Sequence, residues 1–260
     1  MDMMRWIIVF ILIVLNFHSK AQIVINEISA SNADQLHDPD FYNFSSWVEL
    51  YNAGTSAVNV NGYGLSDDPS IPTKWRINAS VSIPSKGYLL IWCDNQNTGL
   101  HTNFELRAEG EDILLSNSSG AVIDRITYPQ LPTNINYGRL PDGSTNIGLL
   151  SNYSPTQANT GVISSSITEE PTFNVESGRY SSTQSVTLLH SQSNAQIRFT
   201  TNGSEPTESS TLYTSPLSIN GFTTVKAKAF VTGQIPSKTV FKTYIINQRV
   251  SSLPVIAISA

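Results

Sequence analysis

Two groups of acidic residues are the clearest signs of possible chemistry in the sequence. Asp34, Asp38 and Asp40 lie in one loop-like stretch, and Asp67 and Asp68 form the second group. Calcium takes about six to eight oxygen ligands, and carboxylates spaced along a loop can supply them. Neither group has a complete ligand pattern, and Asp is also a common turn residue. We expect calcium binding to be weak or absent, with these five carboxylates as its only candidate ligands.

Aromatic side chains suggest a second kind of chemistry, the stacking of sugar rings. Trp47, Tyr51 and Tyr63 would provide a stacking surface if they were exposed in a row. Strand alternation places Trp47 and Tyr51 on the same face as Glu49, away from Val48. Large aromatic residues are more often part of a core, however, and a sandwich offers both positions. Solvent exposure of these rings therefore decides between a carbohydrate-binding surface and a core.

Catalytic signatures are missing from the sequence. It contains no zinc-protease, serine-hydrolase or phosphate-loop motif and no paired cysteines. The histidines that follow the apolar N-terminal segment, His37, His101 and His190, lack metal-ligand spacing. Cys93, the only cysteine, ends an apolar run, which favours a core thiol over a nucleophile. We predict that this chain is not an enzyme by itself and needs no cofactor.

Composition and charge restrict the partners. Charged residues make up 13% of the sequence, against about 25% in an average soluble protein. The formal net charge is -5, and an acidic surface repels phosphate backbones. We expect an extracellular β protein whose partner is another extracellular protein or a polysaccharide, and not a nucleic acid.

The first 21 residues have the pattern of a secretory signal peptide. Arg5 precedes an apolar run at 6–15, and Ala21 ends a short segment suited to cleavage. This run is too short to cross a bilayer, which needs about 20 apolar residues. We predict cleavage after Ala21, a secreted or cell-surface location, and no membrane span after cleavage.

Short apolar runs rich in Val, Ile and Tyr alternate with turn residues along the remaining chain, without helical periodicity. This pattern predicts an all-β protein with two β-sandwich domains in tandem after the signal peptide. We place strands at residues 23–27, 47–52, 63–66, 75–77, 88–93, 112–116, 121–128, 185–190, 196–201, 224–231 and 239–246. Lys226 and Lys228 share one face of a strand, which we expect to be solvated.

A stretch poor in apolar residues divides the chain. We assign the signal peptide to residues 1–21, the first domain to 22–157, a linker to 158–170, the second domain to 171–247, and the start of a further, truncated domain to 248–260. Because the linker has little to bury, we expect monomeric domains that unfold as separate units.

Five segments of the first domain have a distinctive order, namely VINEI at 24–28, WVELYN at 47–52, NGYGLSDD at 61–68, KGYLLIW at 86–92 and EGEDILL at 109–115. Through these segments the first domain resembles a bacterial lamin tail domain. The resemblance implies an immunoglobulin-like sandwich. Nuclear lamins use the equivalent domain for protein and DNA contacts, but the acidic charge here argues against the DNA role.

The second domain contains a further ordered set of segments, namely PTF at 171–173, GRYS at 178–181, IRFTTNGSEPT at 197–207, LY at 212–213 and VKAKAF at 225–230. Through these segments it resembles the immunoglobulin-like repeat at the C-terminus of chitobiases. In that family the repeat is usually an accessory or a spacer.

The last residues resemble the opening strand of a CotH-type secreted kinase, through SLPVIAIS at 252–259. In bacteria such a domain often follows the other two in this order. Together the resemblances imply non-catalytic targeting, spacing or adhesion modules of a larger surface protein. The alternative is a carbohydrate-binding accessory module.

Overall fold

A computed structural model describes residues 22–247, and all regular secondary structure in this range is β-strand. The predicted signal peptide at 1–21 and the predicted start of a further domain at 248–260 lie outside the described residues. No helix in the described range is long and apolar enough to cross a membrane.

The first module contains strands β1 to β12. They are β1 (Ile23–Ser29), β2 (Ser46–Asn52), β3 (Val58–Asn59), β4 (Gly64–Ser66), β5 (Trp75–Arg76), β6 (Ser82–Ile83), β7 (Tyr88–Cys93), β8 (Glu111–Ser116), β9 (Val122–Tyr128), β10 (Asn136–Arg139), β11 (Ile147–Leu150) and β12 (Ile163–Ser164).

The second module contains strands β13 to β21. They are β13 (Thr172–Phe173), β14 (Gly178–Tyr180), β15 (Gln184–Val186), β16 (Leu188–Leu189), β17 (Gln196–Thr200), β18 (Thr211–Leu212), β19 (Leu217–Ile219), β20 (Thr223–Phe230) and β21 (Val240–Ile246).

Two antiparallel sheets of the first module share one hydrophobic core. Their strand orders are β12-β11-β10-β1-β2-β7 and β5-β4-β8-β9, and β3 and β6 form an additional pair. Val48 and Leu50 of β2 are fully buried in the same core cluster as Ile113 and Leu115 of β8. The alternation of strand side chains thus gives each sheet one apolar face toward the other, which is the architecture of a β-sandwich.

The second module has a smaller core of its own. Its main sheet has the order β14-β21-β20-β17-β18, with β14 and β21 parallel, and β13-β16 and β15-β19 form two further pairs. Val186, Ile197, Val225 and Tyr244 form the centre of this core. The prediction of an all-β chain with two domains is confirmed.

A bulge in β1 is closed by a buried ion pair. The register of β1 against β2 shifts between Ile25 and Glu27, so Asn26 is the extra residue. Ile25 N donates to Asp124 Oδ2 at 2.8 Å, and Arg139 Nε donates to Ile25 O at 2.7 Å. These two side chains therefore satisfy both backbone groups of Ile25.

The predicted linker at 158–170 contains ordered structure. Ile163–Ser164 is strand β12, which pairs with β11 and extends the sheet of the first module. Ile167 then forms a parallel bridge with Ile235, with Thr168 N donating to Ile235 O at 2.8 Å and Ile235 N to Ser166 O at 3.1 Å. We call this pairing of residues 166–168 with Ile235 the join. The sequence did not indicate the join, because its hydrogen bonds are between backbone groups, which any residue can supply.

Ile235 couples the modules through apolar packing. It lies in the connection between β20 and β21, but it is 2% exposed and belongs to the core cluster of the first module, against which Ile167 also packs. The sequence did not predict this contact, in which one residue of the second module completes the core of the first, and separate unfolding stays a prediction.

The strands predicted from alternation are confirmed within a few residues, except that the run at 185–190 is split into β15 and β16. The prediction of a solvated lysine face was wrong for Lys226. This side chain is buried, and its Nζ donates to Glu205 Oε1 at 2.7 Å. Lys226 lies between Thr200 of β17 and Phe241 of β21, and its ion pair with Glu205 compensates for the burial of its charge.

Candidate functional site

The connection between β1 and β2 is held in shape by Asn32. Its Nδ2 donates to Leu36 O at 2.6 Å and to Ser45 O at 3.0 Å. Its Oδ1 accepts hydrogen bonds from the backbone N of Gln35 and Leu36, both at 3.1 Å. One buried amide thus closes a long loop and sets the position of the acidic residues that follow.

Asp38 is a fully buried carboxylate within this loop. Its N donates to Asn43 O at 2.8 Å, its O accepts from Tyr42 N at 3.0 Å, and its Oδ1 accepts from Asp40 N at 2.9 Å. Its Oδ2 is shielded from solvent, and no donor among residues 22–247 lies within hydrogen-bond distance of it. A buried charged oxygen without a donor costs free energy, so this atom needs a partner.

The segment after β7 supplies two further side chains. Asp94 directly follows the strand, and its Oδ1 accepts from Gln96 N at 3.2 Å. Trp92 N donates to Leu100 O at 2.9 Å and Thr102 N to Trp92 O at 2.8 Å, which holds His101 beside the strand. The turn between them is made by residues with positive φ, namely Asn95, Asn97 and Gly99.

The His101 ring lies among three carboxylates. Its Nδ1 is 2.8 Å from Asp94 Oδ2 and 3.9 Å from Asp38 Oδ2, and its Nε2 is 3.2 Å from Asp40 Oδ2. The side chains of His101, Asp38 and Asp94 are buried, whereas that of Asp40 is 69% exposed. We call these four residues the acidic histidine cluster.

Opposing effects act on the pKa of His101. Burial lowers this pKa, whereas the hydrogen bonds to Asp94 and Asp40 and the charges of Asp94 and Asp38 raise it. The net result is a pKa above the ordinary value for histidine. The carboxylates therefore create a site that favours positive charge.

Exposed aromatic residues lie in the same loop as Asp38. We call residues 37–44 the aromatic loop. Tyr42 is 79% exposed and Phe44 is 43% exposed, and the His37 ring centroid lies 5.9 Å and 5.4 Å from theirs. The Phe41 ring packs edge-on against His101 at 4.9 Å. Tyr42 has a φ of 57°, an uncommon conformation for a bulky residue, so the loop presents its rings in a strained backbone.

The five acidic residues predicted from sequence do not converge. Only Asp38 and Asp40 lie together, whereas Asp34 accepts a hydrogen bond from Asn134 Nδ2 at 2.6 Å. Asp67 forms an ion pair with Lys74 Nζ at 2.7 Å. Asp68 caps a turn by accepting from Ser70 N at 2.8 Å. Asp34, Asp67 and Asp68 thus have local structural partners.

The three predicted stacking residues do not form an exposed row. Trp47 is fully buried and Tyr51 is 8% exposed, while Tyr63 packs against the core of the first module. Trp47 and Tyr51 do lie on the sheet face opposite Val48, as strand alternation predicted, but that face is covered. Of the two alternatives for these residues, the structure favours the core over an exposed stacking row, because both faces of this sheet are buried at β2.

A pair of buried glutamates lies on the covered face of the same sheet. Glu27 and Glu49 are cross-strand partners on β1 and β2, and both are fully buried. Asn136 Nδ2 donates to Glu27 Oε1 at 2.7 Å, and Asn26 Nδ2 donates to Glu49 Oε1 at 3.3 Å. Burial raises the pKa of Glu27 to about 7 and that of Glu49 to about 8, and the charge of Glu27 adds to the second shift.

The segment between β11 and β12 covers these glutamates. Its backbone donates to both, from Ser154 N to Glu27 Oε2 at 3.4 Å and from Thr156 N to Glu49 Oε2 at 2.5 Å. Asp142 completes this polar layer by accepting from Tyr88 Oη at 2.5 Å and Asn26 Nδ2 at 3.1 Å. The arrangement closes the outer face of the sheet, so the glutamates are parts of a buried network.

Cys93 lies where the sequence predicted it. It is fully buried in the core of the first module, and burial raises the pKa of its thiol. A protonated, enclosed thiol is a poor nucleophile.

A cleft of about 890 Å³ lies where the modules meet. Its walls include residues 132–135 of the first module and 235–239 of the second, with Glu169, Glu205 and Lys228 at its surface. Junctions between modules are common ligand sites, although the mixed charges here do not select one class of ligand.

Comparison with known families places two domains in the chain. Residues 16–130 match the family model of the Lamin Tail Domain. Residues 175–244 match that of the Chitobiase/beta-hexosaminidase C-terminal domain. The two suspected resemblances are therefore confirmed in their order, as is the fold class, since both families are non-catalytic immunoglobulin-like modules. A search of curated proteins finds no match.

Sequence reasoning missed Asp94 and set His101 aside for lack of metal-ligand spacing. They lie seven residues apart, but Asp40 is 61 residues from His101, so no short motif connects the cluster. A usable signal was present in the turn-rich stretch at 94–101, which follows the apolar strand β7 and contains both an acid and a histidine.

Proposed function

We propose that this chain is a pair of non-catalytic modules that acts outside the cell as the targeting, spacing or adhesion part of a larger surface protein. The two immunoglobulin-like matches, in this order, support a modular accessory role. The signal-like pattern at 1–21 supports export.

The join between the modules is the observation that carries the spacing role. Ile235 packs into the core of the first module, and Ile167 and Thr168 pair with its backbone. A flexible linker would let each module turn freely, whereas a paired and packed join restricts their relative motion. Such a pair can hold a following domain at a fixed distance from its attachment point.

The proposed partner is an extracellular protein or a polysaccharide. The net charge of -5 disfavours nucleic acid. We further propose that a CotH-type kinase domain follows the second module, on the resemblance of residues 252–259.

Deletion in the native gene tests this proposal. Residues 22–247 are removed, while the export segment and all downstream sequence are kept. We expect the shortened protein to be released from the cell surface while any downstream catalytic activity persists. Unchanged attachment, or loss of that activity in the purified shortened protein, would refute a role in targeting.

The exposed rings of the aromatic loop favour polysaccharide binding as a second candidate function. Tyr42 and Phe44 provide the exposed aromatic area that the buried Trp47 and Tyr51 do not. Aromatic side chains combine a large apolar face with low conformational entropy, which suits stacking on sugar rings.

A sedimentation assay with insoluble chitin and peptidoglycan tests this second function. We expect binding that falls at least tenfold in Tyr42→Ala. Tyr153→Ala is the matched control, because Tyr153 is also an exposed tyrosine of the first module, at 43%. If both variants bound equally well, the aromatic loop would be excluded as the binding surface.

A further inference from the structure

We propose that Asp38, Asp94 and His101 bind one divalent transition-metal ion, and that Asp40 orients the histidine from the solvent side. The three proposed ligand atoms are His101 Nδ1 and a carboxylate oxygen from each of the two aspartates, and they lie within 4.8 Å of one another.

The spacing of the ligand atoms fits one ion. Protein ligands lie about 2.0–2.2 Å from Zn²⁺, so ligand atoms around a tetrahedral ion are roughly 3.4 Å apart. The distances from His101 Nδ1 are 2.8 Å to Asp94 Oδ2 and 3.9 Å to Asp38 Oδ2, on either side of that value. Changes of about half an ångström in these two distances would bring the atoms around one centre.

Asp38 supplies the independent observation. Its Oδ2 is buried and faces the histidine, with no hydrogen-bond donor among residues 22–247. A protonated His101 paired with Asp94 and Asp40 would leave this oxygen without a hydrogen bond, because its distance of 3.9 Å to Nδ1 is too long for one. A bound cation would satisfy it.

Asp40 occupies the position expected of a supporting carboxylate. A metal-bound histidine usually donates its other ring N–H to a carboxylate or carbonyl, which fixes the tautomer. His101 Nε2 lies 3.2 Å from Asp40 Oδ2. That contact directs the Nδ1 lone pair toward Asp94 and Asp38, where the ion would lie.

The ligand set selects a class of metal. Calcium prefers about six to eight oxygen ligands, whereas imidazole nitrogen suits zinc and its transition-metal neighbours and carboxylate suits manganese as well. One nitrogen and two carboxylate oxygens therefore favour Zn²⁺ or Mn²⁺ over Ca²⁺. The ion would also tie the aromatic loop to the segment after β7, because Asp38 belongs to one and His101 to the other.

Calorimetric titration of the tag-free full chain, stripped with a chelator, tests the proposal. We expect one Zn²⁺ or Mn²⁺ per chain, with tighter binding than Ca²⁺. Asp38→Asn and His101→Gln should weaken binding at least a hundredfold, and Asp40→Asn about 10–100-fold, as for other supporting carboxylates. Asp67→Asn is the control and should bind as the unchanged chain does, because Asp67 pairs with Lys74 outside the cluster.

A measurement on the unchanged chain covers the case in which a variant does not fold. The ring nitrogens of His37, His101 and His190 are followed by NMR as Zn²⁺ is added. We expect the chemical shift of Nδ1 to change in His101 and in no other histidine, and the change to be complete at one equivalent of Zn²⁺. Absence of stoichiometric binding of either metal, an unchanged affinity in Asp38→Asn, tighter binding of Ca²⁺, or an unmoved His101 signal would each overturn the proposal.

Discussion

Arg139 Nη2 lies 2.9 Å from Asp124 Oδ1, and this ion pair joins the two sheets of the first module at the β1 bulge. Arg139 is on β10 and Asp124 on β9, and each also bonds to the backbone of Ile25. Both side chains are largely buried, with exposures of 8% and 14%. Removing one partner would leave the other charge buried and unpaired.

We therefore predict that Asp124→Ala destabilises the first module by about 3–5 kcal/mol. The matched control is Asp112→Ala, since Asp112 pairs with Arg125 in the same sheet but on its exposed side. Exposed ion pairs contribute about 0–1 kcal/mol to the free energy of unfolding, so the control should lose no more than this. Urea unfolding gives the free energy of unfolding of both variants. If both lost only about 0–1 kcal/mol, the buried pair would have no structural role.

The buried glutamates predict the pH dependence of stability. The folded-state pKa values of Glu27 and Glu49, about 7 and about 8, exceed the ordinary value of 4.5. Between these values the folded state binds more protons than the unfolded state, so stability should be greatest near the acidic end of this range and fall as pH rises toward 8. Each additional proton bound by the folded state changes the free energy of unfolding by at most about 1.4 kcal/mol per pH unit.

Urea unfolding at several pH values between about 5 and 8 checks this sign. The double variant Glu27→Gln and Glu49→Gln should flatten the pH dependence, because neither amide titrates. Glu109→Gln changes an exposed glutamate of the same module and should not alter the dependence of the unfolding free energy on pH. A stability that rises through this range and is unaffected by the double variant would show that the pair is ionised in the folded state.

The join predicts that a residue of the second module stabilises the first. Ile235→Ala should destabilise the first module by about 2–4 kcal/mol, the usual loss for truncating a buried isoleucine. Tryptophan fluorescence can follow this module selectively, since the tryptophans of the described range, Trp47, Trp75 and Trp92, all lie within it.

Ile219→Ala is the control for the join, because Ile219 belongs to the core of the second module only. It should leave the fluorescence transition in urea unchanged. If Ile235→Ala also left that transition in place, the two modules would unfold independently, as the sequence alone suggested.

Strand alternation predicted β1, β2, β4, β5 and β7 to β9 of the first module, because these strands carry apolar residues that face one core. It did not predict β3, β6 or β11. It also missed β10 and β12, because they are short and their sequences, NYGR and IS, carry little apolar signal. Their places in the sheet come from backbone pairing and from Arg139, whose partner Asp124 cannot be identified by local sequence.

The candidate site was only partly predictable. Asp38 and Asp40 were recognised as acidic residues in one loop, but their convergence with Asp94 and His101 depends on the pairing of β2 with β7. Trp47 was placed on the correct face of its strand. Its burial could not be inferred, because the covering segments are distant in sequence.

Export of this chain can be tested directly on cells. The protein is labelled on intact cells of the organism that makes it with a reagent that does not cross membranes, purified, and its intact mass and N-terminal residue are determined. We predict that the chain is labelled on the cell surface and that its N-terminal residue is Gln22, after cleavage between Ala21 and Gln22. An unlabelled chain that retains residues 1–15 inside the cell would contradict a function outside it.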